Sequence, residues 1–164
     1  MSFRFKSGPL GPSILTSHLD AIAIMRKEYR SDFINYVQCT KSIELYGYLN
    51  HAFNMCSSCV NDQILKVGKI SLASESAGKT RLFAICNFWV QSALKPLHNQ
   101  LMLVLRLFKS DGTFDQIEQF NRLRINSKGS WVSCFDLTKA TDRFPIQLQQ
   151  VLLGVIVGQK FAKC

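Results

Sequence analysis

Two stretches hold residue types whose spacing could do chemistry. In Gly78-Lys79-Thr80-Arg81 two cations occupy alternate positions, so in an extended strand both project to the same side. There they can grip a triphosphate, Lys79 as a point charge and Arg81 as a bidentate fork, with Lys69 on an opposing strand as a third cation. The Gly-x4-Gly-Lys-Ser/Thr spacing of a phosphate-binding P-loop is absent, and a solvated basic hairpin accounts for the same residues. The second stretch is Cys134-Phe135-Asp136-Leu137-Thr138-Lys139-Ala140-Thr141-Asp142, in which a hydrophobic strand delivers Asp136 at its end and Asp142 follows six residues later. A carboxylate at a strand's carboxyl end suits a hard cation such as Mg²⁺. Two-ion chemistry on a 3′ hydroxyl and a leaving pyrophosphate needs several converging carboxylates, and one strand does not supply enough. The alternative reading makes Asp136 a turn or helix cap and Asp142 the N-cap of a helix at Pro145.

The elements that must position these groups are legible from periodicity. Leu19, Ile22, Ala23 and Met25 mark a helix over 17–28, and Ile43, Leu45, Tyr46, Leu49, Ala52, Phe53 and Met55 mark another over 42–56. Between 66 and 86 the period changes to that of two strands, Val67, Ile70 and Leu72 in one and Leu82 to Ile85 in the other, joined by a loop over 74–79. Asn87 then caps a long apolar helix over 88–108 that Pro96 bends or restarts. A turn over 109–113 precedes a short helix carrying Phe114, Ile117, Phe120 and Leu123. Residues 131–135 read as a buried strand, and Pro145 opens a last helix carrying Ile146, Leu148, Val151, Leu152 and Val155. The sum is an α+β arrangement with few strands for its length, whose small sheet leaves an edge and a face to be covered.

Composition narrows the class. The 164 residues are 47% hydrophobic and 19% charged, too apolar for a disordered chain and enough for one domain. Twenty Lys and Arg against eleven Asp and Glu give a charge of +9, which favours a polyanionic partner such as RNA or a nucleotide triphosphate. The longest apolar run, 151–157, is too short to span a bilayer. Of six cysteines, Cys56 and Cys59 form a lone C-x-x-C pair without a second pair or suitably spaced histidines, so the thiols are read as reduced and mostly packed in apolar surroundings. Residues 1–19 carry Arg4 and Lys6 and no acid, which would suit a mitochondrial transit peptide. Gly8, Pro9, Gly11 and Pro12 break any helix there and equally suit a loop within a domain.

The sequence resembles mitoviral RNA-dependent RNA polymerases. The likeness runs in order through Phe5 to Pro9, His18 to Ala21, Val67 to Ser71, Ala77 to Arg81, Phe83 to Ile85, Trp89, Gln91, Leu94 to His98, Asp111 to Gln116, Phe135 to Leu137, Ala140 to Arg143, and Pro145-Ile146. It implies a partial fingers and palm of a right-hand polymerase, mostly helical with a β-hairpin and one or two further short strands. Residues 1–130 would be fingers-like, and 131–164 the first palm strand with its following helix. Lys79 and Arg81 would then contact the incoming nucleotide's phosphates. Asp136 would be the first metal-binding aspartate, and Asp142 would lie near the position that helps bind metal or senses the ribose 2′ hydroxyl. The family's cofactor is Mg²⁺, for which tight binding is not expected here.

Two departures bear on function. The family usually has an aspartate before the aromatic-tryptophan pair that opens the long helix, whereas this sequence has Asn87-Phe88-Trp89. No Gly-Asp-Asp and no glycine-bearing template motif follow Asp142. The expectation is a truncated, viral-derived plant mitochondrial product without polymerase activity. Its alternatives are a residual RNA or nucleotide binder and half of a split polymerase.

Overall fold

The computed structural model describes residues 7–26, 28–56, 58, 60–74, 78, 80–127, 129–138 and 140–163. Its organising element is α1, Ser13–Arg26, in which Asp20 through Met25 are all buried. A helical stretch apolar on every side must be enclosed, and the second half of α1, up to Met25, is. Its Ala21, Ile24 and Met25 join Phe33 and Val37 of α2 (Arg30–Cys39), Leu49 of α3 (Ile43–Cys56), and Phe88, Trp89 and Ala93 of α4 (Phe88–Leu105) in the main core. Ile22 and Ala23 face the other way, onto Leu65. Alanines at 21 and 23 let the neighbouring helices approach closely.

The helix starts at Ser13, four residues before its expected start, directly after a small antiparallel hairpin of β1, Ser7–Gly8, and β2, Gly11–Pro12. The expected loop over Gly8 to Pro12 is therefore that hairpin, turned at Pro9 and Leu10, with Gly11 at a φ of 144° that side chains disfavour. The sequence reading missed α2. It ends with Lys41 at a φ of 54°, Ser42 N–H donating to Val37 O at 3.0 Å and Lys41 N–H to Gln38 O at 3.2 Å, a left-handed cap usually built on glycine.

A 3₁₀ turn, Asp62–Ile64, leads from α3 into the larger hairpin and is pinned by Arg26, whose Nη1 lies 2.6 Å from Asp62 Oδ1. That hairpin is β3, Gly68–Ser74, antiparallel to β4, Thr80–Cys86, in the register Gly68 to Cys86 through Ser74 to Thr80. As expected, Asn87 caps α4, its Oδ1 accepting from Trp89 N–H at 2.9 Å. Pro96 sits inside an unbroken helix. Only the first turns of α4 reach the core, and Leu103 and Leu105 are exposed.

Beyond α4 the chain has secondary structure with little interior. Asp115 caps α5, Gln116–Asn126, which buries no residue. α6 (Ala140–Arg143), α7 (Ile146–Val157) and α8 (Gln159–Ala162) follow, and α7 packs mainly on α8. The expected buried strand over 131–135 is not formed. The segment is irregular, with Trp131 102% and Phe135 90% exposed, because none of the described strands pairs with it. The two further short strands are β1 and β2 instead.

The cysteine reading is also corrected. Cys39 is disulfide-bonded. Cys56 is half-buried against the smaller core, while Cys86 and Cys134 are exposed, the first at a strand end and the second on the unpaired segment. Cys59 and Cys164 lie outside the described residues, so the C-x-x-C pair is described at Cys56 alone. Among the described residues no helix is long and apolar enough to cross a membrane.

Candidate nucleotide and metal site

The β3–β4 register sorts the basic residues. Directly paired residues on antiparallel strands share a face, and the face alternates with each residue. Lys69 opposes Ile85, Ser71 opposes Phe83 and Ala73 opposes Arg81, so Lys69 and Arg81 lie on one face. They are four residues apart along the ribbon, about 13 Å at a strand's rise. An extended phosphate chain, rather than a single phosphate, would be needed to bridge them. Lys79 lies outside the described residues. The opposite face presents Ile70, Leu72 and Leu82, all exposed.

The base of this hairpin is held by polar contacts around Asp20, a buried acid that the sequence reading did not single out as a site. Asp20, fully buried on α1, accepts the Phe88 N–H through Oδ2 at 3.0 Å, and Asn87 Nδ2 donates to the Asp20 carbonyl at 2.8 Å. Trp89 Nε1 donates to Ser17 O at 2.8 Å, and Gln91 Nε2 to Cys86 O at 2.6 Å. The first three tie the junction between β4 and α4 to α1, and the last fastens α4 to the end of β4. Asp20 Oδ2 also lies 3.1 Å from where a Cβ on Gly8 would stand, so the β1–β2 hairpin closes the same pocket. Asp20 Oδ1 has no hydrogen-bond partner among the described residues. Burial pushes the carboxyl from 3.8 to about 6, against the opposing pull of the Phe88 amide and of His18.

The available signal was a lone acid directly before the run 21–25 of apolar residues in a helical pattern. The departure at Asn87 also acquires a reason. An amide can cap α4 and donate to the Asp20 carbonyl together, whereas an ionised aspartate has no proton to donate and would set a second carboxylate beside a buried one.

The two candidate metal ligands are not assembled. Asp136 is exposed on the irregular segment and Asp142 is exposed on α6. Among the described residues no group of three or more His, Cys, Asp or Glu side chains comes together to hold a metal ion. As placed, Asp136 and Asp142 do not by themselves make a Mg²⁺ site.

Sequence comparison places this geometry in a lineage. An RNA-directed RNA polymerase of Cryphonectria parasitica mitovirus 1 (strain American chestnut tree/New Jersey/NB631) is 34% identical over 92% of this chain and 20% of its own. An uncharacterised mitochondrial protein of Arabidopsis thaliana is 38% identical over 38% of this chain and 25% of its own. The chain thus spans about a fifth of the viral relative's length. No solved structure matches. The family profile of the mitovirus RNA-dependent RNA polymerase matches residues 1–164, and the chain belongs to that family.

Proposed function

We propose that this chain is a mitovirus-like polymerase fragment that carries the nucleotide-contacting hairpin and the first palm aspartate and does not polymerise RNA by itself. The observation that carries the reading is the match along 1–164 to a polymerase family, set against coverage of 20% of the polymerase relative. Nucleotidyl transfer by two ions needs several carboxylates on one centre, and Asp136 and Asp142 stand exposed on separate local structures. Purified protein given primer, template and nucleotide triphosphates with Mg²⁺ or Mn²⁺ is expected to incorporate nothing above background. Incorporation that disappears in Asp136→Ala would overturn the proposal.

A second reading, residual binding of RNA or nucleotide triphosphate, is favoured by the charge of +9 and by the shared face of Lys69 and Arg81. Binding through phosphates releases counterions, so affinity should fall steeply with salt. A flat salt response counts against it. The compartment that goes with this reading is the mitochondrion, supported by the likeness to an uncharacterised mitochondrial protein of Arabidopsis. Fractionation with an antibody to the chain tests that placement.

A further inference from the structure

We infer that the cleft between α2 and α8 is a binding site for a small oligophosphate, separate from the basic hairpin. The cleft encloses about 680 Å³, and Lys41, Lys160 and Lys163 line it together with Asn35 and Gln38, whose carboxamides can donate hydrogen bonds. Asp32 is the single acid among its described lining residues, so three cations face one carboxylate.

Tertiary contacts build the cleft. Gly158, at a φ of 93° that side chains disfavour, turns α7 into α8. Phe161 of α8 then meets Tyr36 of α2 edge-on, with ring centroids 5.9 Å apart. The Tyr36 hydroxyl in turn donates to Ala93 O of α4 at 3.1 Å, which fastens this corner to the main core. Lys160 and Lys163 are thereby brought to the end of α2 at which Lys41 stands.

The backbone of Lys41 supplies an independent observation. Its φ of 54° is one that glycine adopts without cost and other residues seldom do. Such strain concentrates where a side chain serves a site, and the side chain here lines a cleft with two further lysines. An ammonium group is a point charge that suits phosphate oxygens, whereas carboxylates are gripped best by the fork of arginine, which is absent from the described lining. Three such charges are balanced by an anion that carries several, hence a diphosphate or triphosphate rather than a single phosphate. None of the described lining residues belongs to the β3–β4 hairpin, and Asp136 and Asp142 are not among them. The site therefore stands whether or not the chain polymerises RNA.

The test is calorimetric titration of the full chain with inorganic tripolyphosphate and with inorganic phosphate at matched low ionic strength. Tripolyphosphate should bind more tightly than phosphate. Its affinity should fall roughly tenfold in Lys41→Gly and in Lys163→Ala, and be retained in Lys41→Arg. Glycine relieves the backbone at position 41, so Lys41→Gly should unfold at a higher urea concentration than the parent while binding less, which separates loss of the site from loss of the fold. Lys163→Ala, at an exposed position, serves as the second variant. Tripolyphosphate binding that is absent, that no better than matches phosphate, or that is unchanged in both lysine variants overturns the inference. Binding that falls as far in Arg81→Ala as in Lys41→Gly also overturns it, by assigning the anion to the hairpin. So does oligouridylate or hexaglutamate whose binding depends more strongly on Lys41 and Lys163 than that of tripolyphosphate, since the cleft would then belong to RNA or to an acidic peptide.

Discussion

Replacing Asp20 by asparagine should change stability in a way that depends on pH, and the magnitude follows from the carboxyl's surroundings. Burial raises the pKa of Asp20 from 3.8 to about 6. Over that interval the folded protein holds a proton that the unfolded chain has released, so its stability falls as pH rises. The contribution of Asp20 is thus fully favourable below about pH 4 and is lost as pH passes through about 6. A shift of about two units corresponds to about 3 kcal/mol. The substituted side chain has no charge to desolvate and keeps an oxygen for the Phe88 N–H, but its amide takes the place of Oδ1, which has no partner among the described residues. An unpaired buried donor costs about 1–2 kcal/mol, and at low pH the protonated acid already carries one at Oδ1. Asp20→Asn should therefore change stability by less than about 1 kcal/mol at pH 4 and stabilise by about 1–2 kcal/mol at pH 7.5. Urea unfolding followed by Trp89 emission across pH 4 to 8 measures the difference. A stability difference between parent and variant that stays constant over that range, or that moves the opposite way, refutes the reasoning.

The other perturbations follow from particular contacts. Lys41→Gly should raise stability by about 0.5–1 kcal/mol in the same denaturation assay, because it relieves a left-handed residue at the end of α2; a loss of stability would show that the Lys41 side chain matters more than its backbone. Asn87→Ala should cost about 2–3 kcal/mol, since it removes both the cap on α4 and the donor to Asp20; a cost under about 0.5 kcal/mol would mean that neither bond matters. Trp131→Ala should leave unfolding within about 0.5 kcal/mol of the parent, while Trp89→Ala should cost about 3–5 kcal/mol, one ring being exposed and the other buried. Where RNA is bound, Arg81→Ala should weaken binding and make the logarithmic salt slope shallower by about one, with an unchanged slope in a fluorescence titration excluding Arg81 from phosphate contact.

Local rules were readable where the sequence speaks through neighbours. The cap at Asn87, the extent of α3 and the two strands of the β3–β4 hairpin each follow from residue types a few positions apart. The start of α1 was misplaced because Pro9 and Gly11 look like punctuation, while β1 and β2 use them to turn a hairpin straight into the helix. Helix α2 was missed because only Phe33 and Val37 are buried, and its other positions are mostly polar, so the apolar period is too thin to see. The common side of Lys69 and Arg81 follows from alternation once the register is known. Their separation depends on Ile85 standing opposite Lys69, which the strand pattern does not disclose.

The misjudged strand at 131–135 and the overlooked Asp20 have a common origin. Whether a β-type segment becomes a strand depends on a partner elsewhere in the fold, and whether a carboxylate is buried depends on what closes over it. For Asp20 the partner is present. The start of α4 and the β1–β2 hairpin meet it, so the acid becomes the point where α1 takes hold of the basic hairpin's base. For Trp131 and Phe135 none of the described strands supplies the equivalent partner, and residues of the same apolar character as the core of α1 stay in water. The difference between a basic hairpin anchored at its base and two exposed aspartates is therefore one of tertiary partnership rather than of sequence quality. Both Lys69 with Arg81 and Asp136 with Asp142 lie on secondary structure or segments the sequence specifies. Among the described residues, only the first pair stands on elements held by neighbours.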